Sequence, residues 1–227
     1  MNIELIAFWA DRRPDLCDEF SFGHKILLKE YGIENVTSGK PTWKDQKNIL
    51  VLAALNSIDK TMVGGARIHL SSDNSILPLD EALNYIEPNI SGWLREKYTT
   101  GIGELCGLWN AKKVFGKGIS PLLTRTSVAI SDKLNIAYLV GLAAPYTKDM
   151  ASSMGFKIVP ELGANGTFQY PNERHTASLL IIDDIPSLKS ASSEHRERIF
   201  SIRAGNTQFV KETINGSQLV VTYNLLV

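Results

Sequence analysis

The chain has 227 residues and is 44% hydrophobic, which suits a globular protein with one well-buried core. Its 24 Lys and Arg balance 24 Asp and Glu, so composition gives no reason to expect nucleic acid or an anionic membrane as a partner. The apolar runs are too short to cross a bilayer, and Cys17 and Cys106 lie far apart. We therefore expect a cytoplasmic protein with free thiols.

The first half of the sequence predicts a strand, a helix, an antiparallel hairpin and then a long connection. The connection from Ser71 to Gly103 is too long for a bare loop in a compact domain, so we expect helical pieces within it. The predicted elements are strands Ile3–Phe8, Asn48–Leu55 and Thr61–Leu70, and helices Asp15–Tyr31, Pro78–Tyr85 and Ser91–Tyr98.

The second half alternates strands with helices and ends in a second hairpin. The turn signal Asn215-Gly216 lies between alternating runs, which predicts a hairpin over Thr207–Val227 with the odd-numbered residues Val221, Tyr223 and Leu225 buried. The other predicted elements are strands Glu104–Trp109, Ala137–Ala144, Phe156–Val159 and Ala177–Ile182, and helices Ile119–Leu134, Pro145–Met154 and Glu194–Arg203.

This order of elements predicts an α/β fold, with a mixed sheet and helices on both faces. Residues 1–184 would form the main domain. Residues 185–227 would add a helix and the C-terminal β-hairpin, packed on that domain. We expect the hairpin either to extend the sheet or to mediate a homodimer.

One loop in the second half carries a chemical signal. The predicted strand that ends at Trp109 leads into a loop with Gly116 and Gly118, which opens directly onto a helix. Free N–H groups in the first turn of a helix bind phosphate oxygens, and glycines let the backbone come close. Lys112 and Lys117 beside the loop would attract an anion. The alternative is an ordinary strand–turn–helix with solvated lysines, since neither a Walker A loop nor a dinucleotide fingerprint is present.

The segment from Glu104 to Phe156 resembles the GNAT superfamily of acyl-coenzyme A-dependent N-acyltransferases. Their pyrophosphate loop has the pattern Gln/Arg-x-x-Gly-x-Gly/Ala, and Phe115–Ser120 occupies its place, followed in family order by a helix, a strand, a short helix and Met154-Gly155-Phe156. The resemblance implies a splayed central sheet flanked by helices, with acetyl-coenzyme A or another acyl-coenzyme A as co-substrate. It implies a donor site made by Leu108, Trp109, Phe115, Gly116, Lys117, Gly118, Ile119 and Ser120.

The sequence also departs from that family, and it shares features with one branch of it. Phe115 replaces the usual Arg or Gln, and Ala151 stands where many members carry a tyrosine as general acid. Gly64-Gly65-Ala66-Arg67 and the strand opening Glu104-Leu105 loosely resemble acyl-homoserine-lactone synthases and N-acyl amino acid synthases. That resemblance implies acyl carrier protein as an alternative donor. Those relatives usually carry an arginine where Gly107 stands.

Glu104 is the candidate catalytic residue. The resemblance implies a carboxylate at this position that deprotonates the acceptor amine, and a buried carboxylate has the raised pKa that such a base needs. The alternative is a Glu at the start of a strand that pairs with a lysine. Cys106 is interpreted as a small buried side chain, because no His or Asp partner is recognisable. The resemblance implies a strand bulge at Gly107, and the alternative is a glycine required by packing.

Arg67 could bind an acceptor carboxylate or pair with an acid such as Asp73. His69 is expected on the surface. The other histidines are His24, His175 and His195, and since none of the four pairs at i, i+3 or i, i+4, no metal site is expected.

The predicted reaction is direct attack of a small-molecule amine on the thioester in a ternary complex, with backbone N–H groups near Leu108 stabilising the oxyanion. Gly118→Val should weaken donor binding and leave the fold largely intact. Two rival hypotheses stay open: a synthase of acylated products that depends on acyl carrier protein, and a non-catalytic module that binds acyl-coenzyme A.

Overall fold

The computed structural model describes residues 1–33, 36–72, 75–205 and 207–226. The α-helices are α1 Pro14–Glu30, α2 Pro78–Leu83, α3 Ile90–Tyr98, α4 Ile119–Ser131, α5 Pro145–Ser153 and α6 Ser193–Ala204. The strands are β1 Asn2–Trp9, β2 Ile49–Asn56, β3 Met62–Leu70, β4 Ile102–Asn110, β5 Tyr138–Ala143, β6 Lys157–Ile158, β7 Thr167–Gln169, β8 Thr176–Ile182, β9 Thr207–Ile214 and β10 Ser217–Asn224.

These strands form one mixed sheet in the order β6-β8-β5-β4-β3-β2-β1-β10-β9, with β7 also paired to β8. The pairs β4–β5 and β1–β10 are parallel, and the others are antiparallel. The predicted mixed α/β sheet is confirmed. Some predicted elements are too long: α4 ends at Ser131 rather than Leu134, and β6 spans only two residues.

Each face of the sheet carries its own hydrophobic core, because side chains alternate between the faces along a strand. In β2, Ile49 and Val51 pack in the cluster that holds Phe20 of α1. Leu50 and Leu52 pack in the cluster that holds the apolar side of α4 and Ile199 of α6. The sheet therefore lies between α1 on one face and the pair α4 and α6 on the other.

The sheet splays open between β4 and β5. Their parallel pairing runs over three residue pairs and ends at Glu104 opposite Val140. Beyond that point β5 stays paired to β8 as far as Ala143, while β4 stays with β3 as far as Asn110. A wedge-shaped gap thus opens in the middle of the sheet, between the second half of β4 and the end of β5.

A β-bulge shapes the same half of β4. On β3, Gly65 lies opposite Trp109 and Arg67 opposite Cys106, so Ala66 alone faces two residues of β4. Gly107 takes a φ of +60° there, a left-handed conformation in which glycine is favoured. The bulge predicted at Gly107 is confirmed, and it turns the strand at the edge of the gap.

The C-terminal hairpin extends the sheet. Asn215 and Gly216 form its turn with φ of 51° and 74°, and β10 runs parallel to β1 from Asn2 opposite Val220. The predicted buried set of Val221, Tyr223 and Leu225 is confirmed, and Leu219 is buried with it. In the part of the chain that the structure describes, no helix is both long and apolar enough to span a membrane.

Candidate active site

Two adjoining cavities lie along β4. The inner cavity, of about 520 Å³, is reached by Glu104 and Cys106 and extends past the end of β5. The outer pocket, of about 740 Å³, lies between the N-terminus of α4 and α5. Leu108, Tyr146 and Met150 line both spaces. A ligand could therefore run from the outer pocket along β4 into the inner cavity.

The predicted donor residues come together around the outer pocket. Of these, Lys117 is exposed and lies outside the lining, although it belongs to the same loop. The seven that line the pocket are Leu108, Trp109, Phe115, Gly116, Gly118, Ile119 and Ser120. We call Phe115–Ser120 the donor loop.

The donor loop presents free backbone amides. Gly116 and Gly118 take φ of +73° and +83°, which turns the chain sharply into α4. Within the described ranges, the amides of Gly116, Gly118, Ile119 and Ser120 donate to no protein acceptor. Ser120 Oγ donates to Asn110 Oδ1 at 2.7 Å and ties the loop to the end of β4. Amides at a helix N-terminus, aligned with its dipole, are suited to a phosphate.

The C-terminal extension supplies a third wall of the outer pocket, which the sequence did not predict. His195 and Arg198 of α6 line it, as does Ile214 of β9. A β-carbon at Gly118 would lie 2.8 Å from Cβ of Ile214. The expectation that Gly118→Val leaves the fold largely intact is therefore wrong, because the added side chain would collide with the hairpin.

A buried polar network fastens this wall to α4. The guanidinium of Arg125 donates to the carboxylate of Glu212, and Tyr223 Oη donates to Glu212 Oε1 at 2.8 Å. Arg125 and Glu212 are 4% and 7% exposed, and both line the outer pocket. Burial raises the pKa of Tyr223, so its phenol stays protonated and donates. The charge pair of Arg125 and Glu212 therefore connects α4 to the C-terminal hairpin at the outer pocket.

Glu104 lies at the inner cavity with 2% of its surface exposed. Its Oε2 accepts a hydrogen bond from the amide of Leu79 at the start of α2, at 2.8 Å. Burial raises the pKa of Glu104 to about 8, against the opposing effects of the Leu79 hydrogen bond and the Arg67 cation. Such a carboxyl group can exchange a proton at physiological pH.

Arg67 lies behind Cys106. It is fully buried, with its guanidinium carbon 4.1 Å from the ring centre of Trp43 and 5.3 Å from that of Phe20. Its Nη2 lies 4.0 Å from Cys106 Sγ, and its side chain is outside the lining of the inner cavity. Direct binding of an acceptor carboxylate does not fit this placement. The suggested partner Asp73 lies outside the described residues.

Other polar side chains reach the inner cavity. Burial raises the pKa of Cys106 to about 12, so it is a thiol rather than a nucleophilic thiolate at neutral pH. Tyr170 Oη accepts from the amide of Thr37 at 3.2 Å and fixes that loop over the cavity. His24 projects from α1 and is 6% exposed.

The positions of His69 and His24 differ most from what was expected from the sequence. His69 was expected on the surface, and this is wrong: it is 8% exposed and lies opposite Glu104 in the β3–β4 ladder. Burial lowers the pKa of His69 well below its ordinary value. No role for His24 was predicted from the sequence. Its spacing within an uneven apolar pattern offered no signal, since the side chain reaches the cavity only because α1 crosses β4.

No protein-family model matches the sequence, and no curated protein is significantly similar to it. Solved structures do share its fold. An N-acyl amino acid synthase from uncultured soil microbes is 16% identical, with a TM-score of 0.61 over 82% of this chain and 98% of that chain. A coenzyme A-dependent acyl-homoserine lactone synthase is 13% identical, with a TM-score of 0.57 over 88% and 95%.

A mosquito arylalkylamine N-acetyltransferase-like protein is 10% identical, with a TM-score of 0.53 over 79% of this chain and 98% of that chain. These similarities span nearly the whole of each compared protein. They confirm the GNAT-like fold, with its splayed central sheet, that the donor-loop pattern implied. The looser resemblance to the synthase branch also has its counterpart among these structures.

Proposed function

We propose that the protein is an N-acyltransferase that moves an acyl group from coenzyme A to an amine. The observation that carries this proposal is that the two cavities adjoin each other along β4. A helix N-terminus with unengaged amides opens into the outer pocket, and a buried carboxyl group with a raised pKa lies in the inner cavity. In this proposal the donor phosphates bind at the outer pocket, and proton transfer takes place in the inner cavity.

The donor's pyrophosphate would bind at the donor loop. The amides of Gly116, Gly118, Ile119 and Ser120 would donate to its oxygens, and Lys117 would add long-range attraction. The pantetheine arm would follow Leu108 and Trp109 toward the gap in the sheet. The thioester would then lie where the gap meets the inner cavity, beside the bulge at Gly107.

The chemistry would be direct attack within a ternary complex. The ammonium of the acceptor gives one proton to the Glu104 carboxylate, and the lone pair of the neutral amine adds to the thioester carbonyl carbon. The backbone N–H of Leu108 would stabilise the oxyanion. The C–S bond then breaks, and the second amine proton ends on the departing thiolate. Ala151 supplies no acid for this last transfer, and no other residue is assigned to it.

Acyl transfer to a panel of primary amines tests the proposal, with acetyl- and octanoyl-coenzyme A as donors. We expect release of free coenzyme A that depends on an amine, together with the acylated amine by mass spectrometry. Binding of both thioesters without turnover of any amine would favour the non-catalytic module. Failure to bind either thioester would refute the donor site itself.

A second candidate function is a synthase that uses a long acyl chain from acyl carrier protein. The size and apolar lining of the inner cavity favour it, because the space continues past the gap to Phe156 and Leu180. Competition between octanoyl-coenzyme A and octanoyl-acyl carrier protein separates the two donors. A kcat/KM higher by about tenfold or more for the carrier protein would favour the synthase.

A further inference from the structure

Helix α1 is locked against the active-site strands by contacts that only glycine permits. A β-carbon at Gly23 would lie 2.1 Å from the Trp109 ring, and one at Gly65 would lie 2.4 Å from the Phe20 ring. Since backbone and aromatic ring meet this closely, α1 has little freedom to shift over β3 and β4. The side chain that follows Gly23 is His24, whose position at the inner cavity is fixed by the same contacts.

The imidazole of His24 is a polar group held at the inner cavity with no hydrogen-bond partner among the residues that the structure describes. It is 6% exposed and lines the cavity together with Glu104, Gly107 and Leu108. Within the described parts of the chain, neither ring nitrogen makes a hydrogen bond, and the nearest aromatic contact is the edge of Phe20 at 6.2 Å between ring centres. Buried polar groups normally find a partner, so a group left open toward a cavity points to a ligand.

The charge state of this imidazole limits what it can do. Burial, and then the nearby cation of Arg67, lower the pKa of His24 to about 3. The titratable groups that line the cavity with it include Glu104, Cys106 and Tyr170, and the pKa of each is raised. His24 is therefore neutral at physiological pH and too weak a base to hold a proton from an amine. A neutral imidazole still offers one lone pair and one N–H.

We propose that His24 accepts a hydrogen bond from an N–H of the attacking amine and so directs the amine's lone pair toward the thioester carbonyl carbon. This inference rests on the proposed function. Glu104 removes the first proton, and His24 holds the neutral amine that results. The two roles follow from the pKa values of the two groups. Glu104 can take a proton at physiological pH, whereas His24 cannot. Alignment of reacting groups is a large part of the rate advantage of a bimolecular transfer.

The test compares His24→Leu and His24→Gln with wild-type protein, using octanoyl-coenzyme A as donor and phenethylamine or L-phenylalanine as acceptor. These amines differ by one carboxylate. We expect His24→Leu to lower kcat/KM for both amines by about tenfold to a hundredfold, the usual effect of losing a buried hydrogen bond. His24→Gln should restore most of the loss, because its amide oxygen can accept the same hydrogen bond.

Three further readouts separate this role from a structural one. The dissociation constant of octanoyl-coenzyme A should not change in either variant, and the rate–pH inflection of Glu104 should stay in place. Cys17→Ala is the matched control on α1: Cys17 is buried, bonds to the Ala10 carbonyl and lies away from both cavities. It should leave kcat/KM for both amines unchanged.

Equal activity of His24→Leu and wild type would overturn the inference, as would a loss confined to L-phenylalanine, which would place the carboxylate at His24. If wild-type protein binds the donor but acylates neither amine, the proposed function fails instead. In that case an NMR titration of the His24 ring tests the inference about His24 independently of the proposed function. A ring that takes up a proton near its ordinary pKa of about 6.5 is not the neutral group required. A ring that stays neutral supports the inference.

Discussion

Gly118 of the donor loop packs directly against Ile214 of the C-terminal hairpin, so that a β-carbon at Gly118 would lie 2.8 Å from both Cβ and Cγ2 of Ile214. The residue before α4 therefore has two roles. Its left-handed φ of +83° turns the chain into α4, and its missing side chain lets the hairpin close the outer pocket. The turn into α4 and the packing of the hairpin therefore both depend on the absence of a side chain at Gly118.

Gly118→Ala should lower both stability and affinity for coenzyme A. The left-handed conformation alone costs about 1–2 kcal/mol for a residue with a side chain, and the collision with Ile214 adds to it. Gly116→Ala is the matched control, since its φ is +73° but nothing lies within 4 Å of an added β-carbon. Urea denaturation and calorimetry measure the two effects. Equal stability losses in the two variants would mean that the hairpin moves away from the added methyl group without lowering the free energy of unfolding.

Glu104→Gln should lower turnover by about a hundredfold to ten-thousandfold, the usual range for loss of a general base. Binding of coenzyme A should hardly change, because Glu104 lies at the inner cavity and the phosphates would bind at the donor loop. Steady-state kinetics and calorimetry on the same preparation check both statements. Near-normal turnover would make Glu104 a structural residue.

The rate–pH profile should show the ionisation of Glu104. The base must be deprotonated and its pKa is about 8, so kcat/KM should rise with pH below that value and level off above it. An acceptor amine can produce a similar limb through its own ionisation. Two acceptors of different basicity distinguish the cases: an inflection that moves with the acceptor belongs to the amine.

The same ionisation should make stability depend on pH. The folded protein holds the Glu104 proton up to about pH 8, whereas an unfolded chain releases it near 4.5. Stability from this group is therefore fully present below the unfolded pKa and is lost as pH rises through the folded pKa. Chemical denaturation between about pH 5 and about pH 9 should show a steeper fall for wild type than for Glu104→Gln. Parallel curves would contradict the raised pKa.

Glu212→Gln should destabilise the fold by about 3–5 kcal/mol, because it leaves the cation of Arg125 buried without its counter-ion. Tyr223→Phe removes one hydrogen bond to Glu212 and should cost only about 1 kcal/mol. Asp183→Asn, which breaks the half-exposed pair with Lys157, is the control and should change stability by no more than about 1 kcal/mol. A Glu212→Gln variant as stable as the control would show that Arg125 is solvated from the outer pocket.

Features with local signals could be predicted from the sequence. The turn into α4 was recognisable because Gly116 and Gly118 stand between a strand and a helix, and the hairpin because Asn215-Gly216 divides two alternating runs. That the turn binds a donor stays a prediction. The bulge at Gly107 and the place of Glu104 beside a cavity were implied by the resemblance of this strand to the acyltransferase family. In each case the residues that give the signal and the structure that they form lie in the same short stretch of chain.

Features that depend on packing between distant elements could not be predicted. His24 reaches the inner cavity because Gly23 lets α1 approach Trp109, and neither residue signals the other in sequence. His69 is buried beside Glu104, although its place near a strand end suggested exposure. The third wall of the outer pocket depends on the match between Gly118 and Ile214. Such matches are settled by side-chain volumes in three dimensions rather than by periodicity.

The pairing of β1 with β10 also bears on the order in which the protein folds. The N-terminal ammonium meets the carbonyl of Gln218 at 3.0 Å, across a sequence separation of 217 residues. Closing so long a loop is entropically expensive and slow, whereas β2, β3 and β4 pair with near neighbours along the chain. We therefore expect the hairpin to dock on β1 late in folding, after β2, β3 and β4 have paired. The wall of the outer pocket that contains Ile214 would then be the last part of the candidate site to form.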